Sequence, residues 1–164
     1  MIPAEHTRVI VQHEMEGALS WAERHGVGIE WLPDDLWLHI TLSQPETSQP
    51  FFLRGKLNEY RGLPPEWTFT DARWETSGRP IDFPEGVQGR FGAPMFIMHN
   101  QIAVICAPFN RLAYSELAGP HQDWGGAANW LNAGASQVHA DTIGDMLQAI
   151  YRDFSLSRSR MAKP

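Results

Sequence analysis

Between Gly28 and Thr70 the chain alternates. In "GIEWLPDDLWLHITLSQPETSQPFFLRGKLNEYRGLPPEWTFT" the apolar residues Ile29 and Trp31, then Leu36, Leu38, Ile40 and Leu42, then Phe51 and Leu53 recur at every second position. That period puts one face of a β-strand on a core and the other toward water. The runs are separated by "PDD" and "QPETSQP", stretches of turn-forming residues. Gly55 lies inside the third run and marks a bulge or a close backbone approach. "RGLPPEW" cannot be helical, because consecutive prolines fix their φ angles, and "WTFTDARWE" reads as a fourth strand. Short strands joined by short turns make an antiparallel meander.

Two helical patterns flank it. Val9, Ile10, His13, Gly17, Leu19 and Trp21 fit a helix of about four turns that Gly26 ends as the residue after the cap. Ile143, Met146, Leu147, Ile150 and Phe154 recur at helical spacing, with Asp141 as the expected N-cap. Thr76–Pro94, rich in Gly and Pro, is expected as a long surface loop, and "MFIMHNQIAVIC" as an extended apolar segment broken at His99-Asn100. The expected fold is therefore α+β: an N-terminal helix, a four-stranded antiparallel meander, a long active-site loop and a C-terminal helix. One domain is expected over residues 1–154, followed by a flexible basic tail, "SLSRSRMAKP", over 155–164.

Charge and cysteine usage exclude several classes. With a net charge of -6, nothing in the bulk balance invites nucleic acid or an anionic membrane, and neither is expected as a partner. No apolar run approaches the roughly 20 residues that span a bilayer, and the first residues lack a signal-peptide layout, so a cytoplasmic protein is expected. One cysteine forms no intramolecular disulfide, and a zinc site would need His, Asp and Glu ligands only. "HEMEG" opens like a zinc-protease helix, but Gly17 stands where the second His belongs. Trp21, Trp31, Trp37, Trp67 and Trp74 fall on the helix and strands and read as core; Trp124 and Trp130 lie near the cysteine in sequence.

That cysteine is Cys106, in "ICAPF". Val104 and Ile105 favour a buried small hydrophobe, whereas Ala107-Pro108 ends the strand and leaves the thiol where a substrate reaches it. Residue types alone leave both open.

The order of elements resembles the ubiquitin-conjugating enzyme fold. In "EYRGLPPEWTF", Tyr60, Pro64, Pro65 and Phe69 keep the spacing of that family's Tyr-Pro step, two prolines and Phe-bearing fourth strand, with Arg61 at the first proline. In "HNQIAVIC", His99 and Asn100 are similar to the family's His-Pro-Asn step without its proline, and Asn100 lies six residues before Cys106. The bacterial members found in antiphage defence operons are the nearer fit, because "PFNRLAYSELAGPHQDW" replaces the usual sequence after the cysteine.

The resemblance implies that Cys106 accepts a ubiquitin-like modifier as a thioester from an ATP-dependent activating enzyme and passes it to an amine of a target protein, a lysine. The protein would need no cofactor or metal of its own, since ATP is used by the activating enzyme. A thiol suits two successive acyl transfers, because a thioester stays reactive and thiolate leaves well. Asn100 is the candidate amide donor to the developing oxyanion, or a brace for the loop that carries one. His99 is a candidate in proton transfer. His121 and Asp123, in "GPHQDW", are candidates for accepting the proton of the incoming amine. The activating enzyme is expected on the first helix, at Arg8, Gln12, Glu16 and Glu23. Two other classes remain: an inactive binding module on the same fold, and a cysteine hydrolase pairing Cys106 with His121 or His139.

Overall fold

The computed structural model describes residues 1–89, 92–133 and 139–163. It begins with helix α1 (Ala4–His25) and a meander of β1 (Gly28–Leu32), β2 (Trp37–Ser43), β3 (Pro50–Lys56) and β4 (Glu66–Thr70). The four strands form one antiparallel sheet in sequence order. A short hairpin follows, β5 (Phe96–His99) with β6 (Ile102–Ile105), and helix α2 (Ile143–Leu156) closes the chain. Among the described residues between β6 and α2, the helical structure is limited to short 3-10 turns.

The alternation sets the sheet's two faces. Leu38, Ile40, Leu42, Phe51, Leu53 and Phe69 are buried on one side against both helices. The outer face carries Trp37, His39, Phe52 and Arg54; the Arg54 guanidinium lies 4.4 Å above the Trp37 ring, and Trp74 stacks on His39 at 4.1 Å. Trp37 and Trp74 thus belong to a solvent-side cluster rather than to the core. Gly55 is a close approach and not a bulge. The register runs unbroken through Leu38, Gly55 and Trp67, and a Cβ on Gly55 would meet the Trp67 ring at 2.5 Å.

Helix α1 turns a different face inward from the one Val9, Gly17 and Leu19 suggest. Thr7, Val11, Met15, Ala18, Trp21 and Ala22 are buried, while Val9 and Leu19 are exposed. Thr7 is tolerated inside because its hydroxyl donates to the Tyr60 carbonyl at 3.2 Å. Gly26 ends the helix with a positive φ of 64°, as expected of a C′ glycine. Helix α2 buries Ile143, Met146, Leu147, Ile150 and Phe154 at the expected spacing. Its N-cap is Thr142, whose side chain accepts from Asp145 N, in place of Asp141.

Glu14 joins the layers. Its Oε2 accepts from the Tyr60 hydroxyl at 2.8 Å and from Ile143 N at 2.8 Å, so α1 holds both the Pro-Pro passage and the start of α2. Burial, then the Glu14 charge, pushes the Tyr60 hydroxyl far above its ordinary pKa.

Two expectations about irregular chain change. The Thr76–Pro94 stretch is not wholly surface, since Asp82, Phe83 and Pro84 are buried; residues 90–91 lie outside the described residues. The expected basic tail begins inside α2, which runs to Leu156, and its next residues are docked. Ser157 is buried, Arg160 donates to the carbonyls of Pro50 and Ile81, and Met161 N donates to Phe83 O at 2.9 Å. Polar residues that satisfy backbone carbonyls look like a loose tail in sequence and pack like a strap in space.

Candidate active site

The β5–β6 hairpin turns at Asn100 and Gln101, both with positive φ, 49° and 66°. A two-residue loop of that hand matches the twist of its strands, and Asn adopts it more readily than most residues. The break in the apolar run at His99-Asn100 is therefore a hairpin tip. Strand β6 then enters the core through Ala103, Val104 and Ile105, and Cys106 is the next residue, at the open end.

Backbone and side-chain bonds pin the chain around the thiol. Cys106 N donates to Met95 O at 2.7 Å, and Ala107 N to Ile105 O at 3.1 Å. The wholly buried Asn110 donates from Nδ2 to Ile105 O at 2.7 Å and accepts at Oδ1 from Trp67 N at 2.9 Å and Leu112 N at 3.3 Å. It thereby ties the residues after the thiol to β4. The Tyr114 hydroxyl, also buried, donates to Pro108 O at 2.8 Å.

The chain then doubles back. His121 N donates to Ala113 O, Ser115 N to His121 O and Gly119 N to Tyr114 O. Glycine is required in that return, since a Cβ on Gly119 would lie 2.3 Å from the Ala113 carbonyl carbon. The consequence is a contact across fifteen residues: Cys106 Sγ lies 2.6 Å from His121 Nε2. On the far side of the ring, Nδ1 lies 3.1 Å from Asp123 Oδ1.

This order assigns the protons. The carboxylate accepts from Nδ1–H, which leaves the Nε2 lone pair toward the sulfur, and the thiol donates to it. Burial first, and the Asp123 charge second, push the Cys106 thiol up to about 11. The hydrogen bond from His121 holds the Asp123 carboxyl below its usual range. The thiol thus donates to a ring nitrogen whose opposite nitrogen faces the Asp123 carboxylate, an arrangement in which an imidazole can take up a thiol proton.

Cys106, His121 and Asp123 are brought together; the other candidates are not. Asn100 and His99 sit at the hairpin tip, 3.2 Å from each other, and the length of β6 at about 3.3 Å per residue keeps them roughly 13 Å from the thiol. Asn100 is too far to donate to a carbonyl carried on Sγ, which corrects the expectation from the His-Asn step. His139 Nε2 instead meets Asp141 Oδ1 at 2.9 Å. On α1, Gln12, Glu16 and Glu23 are exposed, while Arg8 is engaged, donating from Nε to Pro33 O at 2.8 Å. Asn110 and Tyr114 were not legible as site residues, because an Asn or Tyr in a loop carries no spacing signal.

Beside β6 opens a cavity of about 280 Å³, lined by Thr68, Gly78, Ile102, Val104, Leu112 and Leu117. Among the described residues no group of three His, Cys, Asp or Glu side chains is placed to hold a metal ion, and no helix is long and apolar enough to cross a membrane.

Fold and site together define an α+β protein with a thiol–imidazole–carboxylate chain at the mouth of a β-hairpin. No family model, curated protein or solved structure matches this chain.

Proposed function

We propose that the protein is a thiol-dependent acyl transferase of the ubiquitin-conjugating kind, in which Cys106 accepts a ubiquitin-like modifier from an activating enzyme and passes it to a lysine amine. The observation that carries the reading is the 2.6 Å contact between Cys106 Sγ and His121 Nε2. In the first step the thiol proton moves to Nε2 and sulfur attacks the carbonyl carbon of the donor thioester. The C–S bond to the donor breaks as its thiolate takes the proton from Nε2. In the second step an amine attacks the Cys106 thioester, its proton passes to Nε2, and Cys106 leaves as a thiolate that regains that proton. Asp123 keeps Nε2 as the acceptor throughout.

Two features support transfer over hydrolysis of amides. The amide N–H of Cys106, and that of Ala107 after it, are spent on Met95 O and Ile105 O. A nucleophile whose own N–H is spent cannot lend it to an oxyanion, and removing one such donor costs on the order of 10²-fold or more in rate. An already activated thioester tolerates that loss far better than an amide does. The element order, a helix and a four-strand meander ahead of the cysteine and a helix behind it, supports the same reading, as does the spacing of Tyr60, Pro64, Pro65 and Phe69. In this reading the protein works in the cytoplasm, in a bacterial antiphage defence pathway, and ATP is consumed by the activating enzyme alone.

The test mixes the protein with ATP, an activating enzyme and a ubiquitin-like protein, drawn from its genomic neighbours where these encode them. The expected product is a gel-shifted adduct that thiol removes and that Cys106→Ala does not form. Absence of an adduct while the activating enzyme charges its modifier would make the protein a binding module. Release of free modifier or peptide without ATP would make it a hydrolase.

A further inference from the structure

One aromatic contact on the site has no part in that scheme. Trp124 lies flat on His121, with ring centroids 3.5 Å apart and planes 5° from parallel. Behind it the buried Tyr114 ring meets the indole at 5.4 Å and 65°. Tyr114 is itself tied to Pro108 O, two residues after the thiol. The indole is therefore clamped between the imidazole and a ring anchored to the cysteine's own segment. Glu116 closes the loop by accepting from Ala127 N at 3.3 Å.

We infer that Trp124 is the positioning residue of this site, fixing the plane of the His121 ring so that Nε2 faces Cys106 Sγ while Nδ1 faces Asp123. The inference rests on the reading that Cys106 is the nucleophile and His121 its base. An imidazole has a broad torsion about its ring bond, and two in-plane hydrogen bonds hold it only while both persist. The bond to Asp123 ends on a largely exposed carboxylate, with 69% of its side chain accessible, where water competes. Without a flat surface against it, the ring swings about the remaining contact with sulfur and its lone pair leaves the thiol. The indole face removes that freedom, and it also attracts the imidazolium that forms when the proton crosses.

Few other groups act on the ring. Cys106 faces it from the end of β6 and Asp123 from its own loop. Tyr114, behind the indole, is pushed up to about 12 by burial and then by Glu116, and stays neutral at ordinary pH.

The experiment is alkylation of Cys106 in the full-length chain by iodoacetamide, followed by intact mass from about pH 5 to about pH 9, the range in which imidazole titrates. The wild-type rate is expected to rise through a near-neutral inflection to a plateau. Trp124→Phe keeps a flat ring and should stay within about threefold, whereas Trp124→Leu fills space without stacking. The Leu variant should lose the inflection and react about tenfold slower at neutral pH, a small part of what general-base assistance supplies. A Leu variant that keeps both inflection and rate overturns the inference. A measurement without any variant guards against misfolding: the carbon-bound ring protons of His121 should be shifted upfield by the indole in proton NMR, and ordinary shifts overturn the inference too. Alkylation needs neither modifier nor activating enzyme. If the profile is as expected but no conjugate ever forms, the proposed function falls and this inference stands. Conjugation at the wild-type rate by Trp124→Leu has the opposite meaning.

Discussion

Cys106 Sγ touches His121 Nε2 at 2.6 Å although fifteen residues separate them, and the contact is made by a chain return rather than by adjacent strands. His121 is thus delivered by a chain return, its N–H on Ala113 O and its carbonyl accepting from Ser115 N, while Cys106 is delivered by the end of a buried strand. In the conjugation reading, removing the imidazole should leave the fold and lower the rate. His121→Ala is expected to slow the loading of Cys106 from a C-terminal peptide thioester by about 10²-fold or more at neutral pH, with unchanged circular dichroism. Single-turnover mass spectrometry reads the rate, and a loss under threefold would show that the imidazole is idle.

The acidity of the thiol carries two signed consequences. Burial and then the Asp123 charge raise Cys106 from its ordinary 9.0 to about 11. Between those values the folded chain holds a proton that the unfolded chain has lost, so stability falls as pH rises from about 9 through about 11. Cys106→Ala should lack that part of the slope in urea titrations across the alkaline range. Asp123→Asn removes a charge that opposes thiolate, so its alkylation at alkaline pH should be faster than wild type. Near neutrality the same variant should be slower, because Nδ1 no longer has an anion to hold its proton. Parallel profiles for Asp123→Asn and wild type would contradict the assignment.

Asn110 is the joint between the cysteine segment and the sheet. Its side chain makes three hydrogen bonds inside the protein, to Ile105 O, Trp67 N and Leu112 N. Truncation to Ala leaves these buried groups without partners at about 1–3 kcal/mol each, partly relieved by entering water. Asn110→Ala should therefore destabilise by roughly 3 kcal/mol or more, seen as a lower urea midpoint with an unchanged slope. A wild-type midpoint would mean that the joint is made elsewhere.

Much of the scaffold was readable because it rests on periodicity. The strands of the meander follow the alternation from Ile29 to Phe69, and α2 follows its spacing from Ile143 to Phe154. The inward face of α1 was not readable, since Val9 and Leu19 are apolar yet exposed while Thr7 is polar and buried. A helix that packs through Ala18 and Ala22 presents small residues whose burial no hydrophobic pattern marks. The docked end of the chain was hidden for the converse reason: Arg160 packs over Phe51 at 4.2 Å with its guanidinium on backbone carbonyls, and composition registers only charge. At the site, residue types pointed to Cys106, His121 and Asp123, whereas their contact depends on where Gly119 lets the chain return. The His-Asn step misled because its two residues form a hairpin tip, and a tip lies as far from the strand's open end as the strand is long.

The glycines give a pair of predictions of opposite sign. Trp67 is fully buried and lies on Gly55, so a Cβ at 2.5 Å cannot be met by withdrawing the ring. Gly55→Ala should cost about 1–3 kcal/mol through overpacking. Gly17 is exposed within α1 with nothing near its missing Cβ, so Gly17→Ala should stabilise by roughly 0.5–1 kcal/mol through backbone entropy. Thermal or urea unfolding of the two variants checks both signs.

In the conjugation reading, a chain loaded with a reactive acyl group would be exposed to attack by its own amines. The 13 basic residues include only two lysines, Lys56 and Lys163; all the others are arginines. Guanidinium stays protonated at any pH where an acyl transferase works, so it pairs with carboxylates and does not attack a thioester. An amine held near the sulfur would, in contrast, react at an effective concentration far above that of any dissolved acceptor. Arg111 stands on the first turn after the cysteine segment, with Nη1 3.7 Å from Glu66 Oε1. In the conjugation reading, Arg111→Lys should accumulate a self-attached modifier that thiol does not remove, mapped to residue 111 by peptide mass. The wild-type chain, left loaded without acceptor, should attach modifier only at Lys56, Lys163 or the terminal amine. If Arg111→Lys loads normally and shows no self-attachment, the acyl group does not pass over that turn, and the acceptor must approach from the Asp123 side.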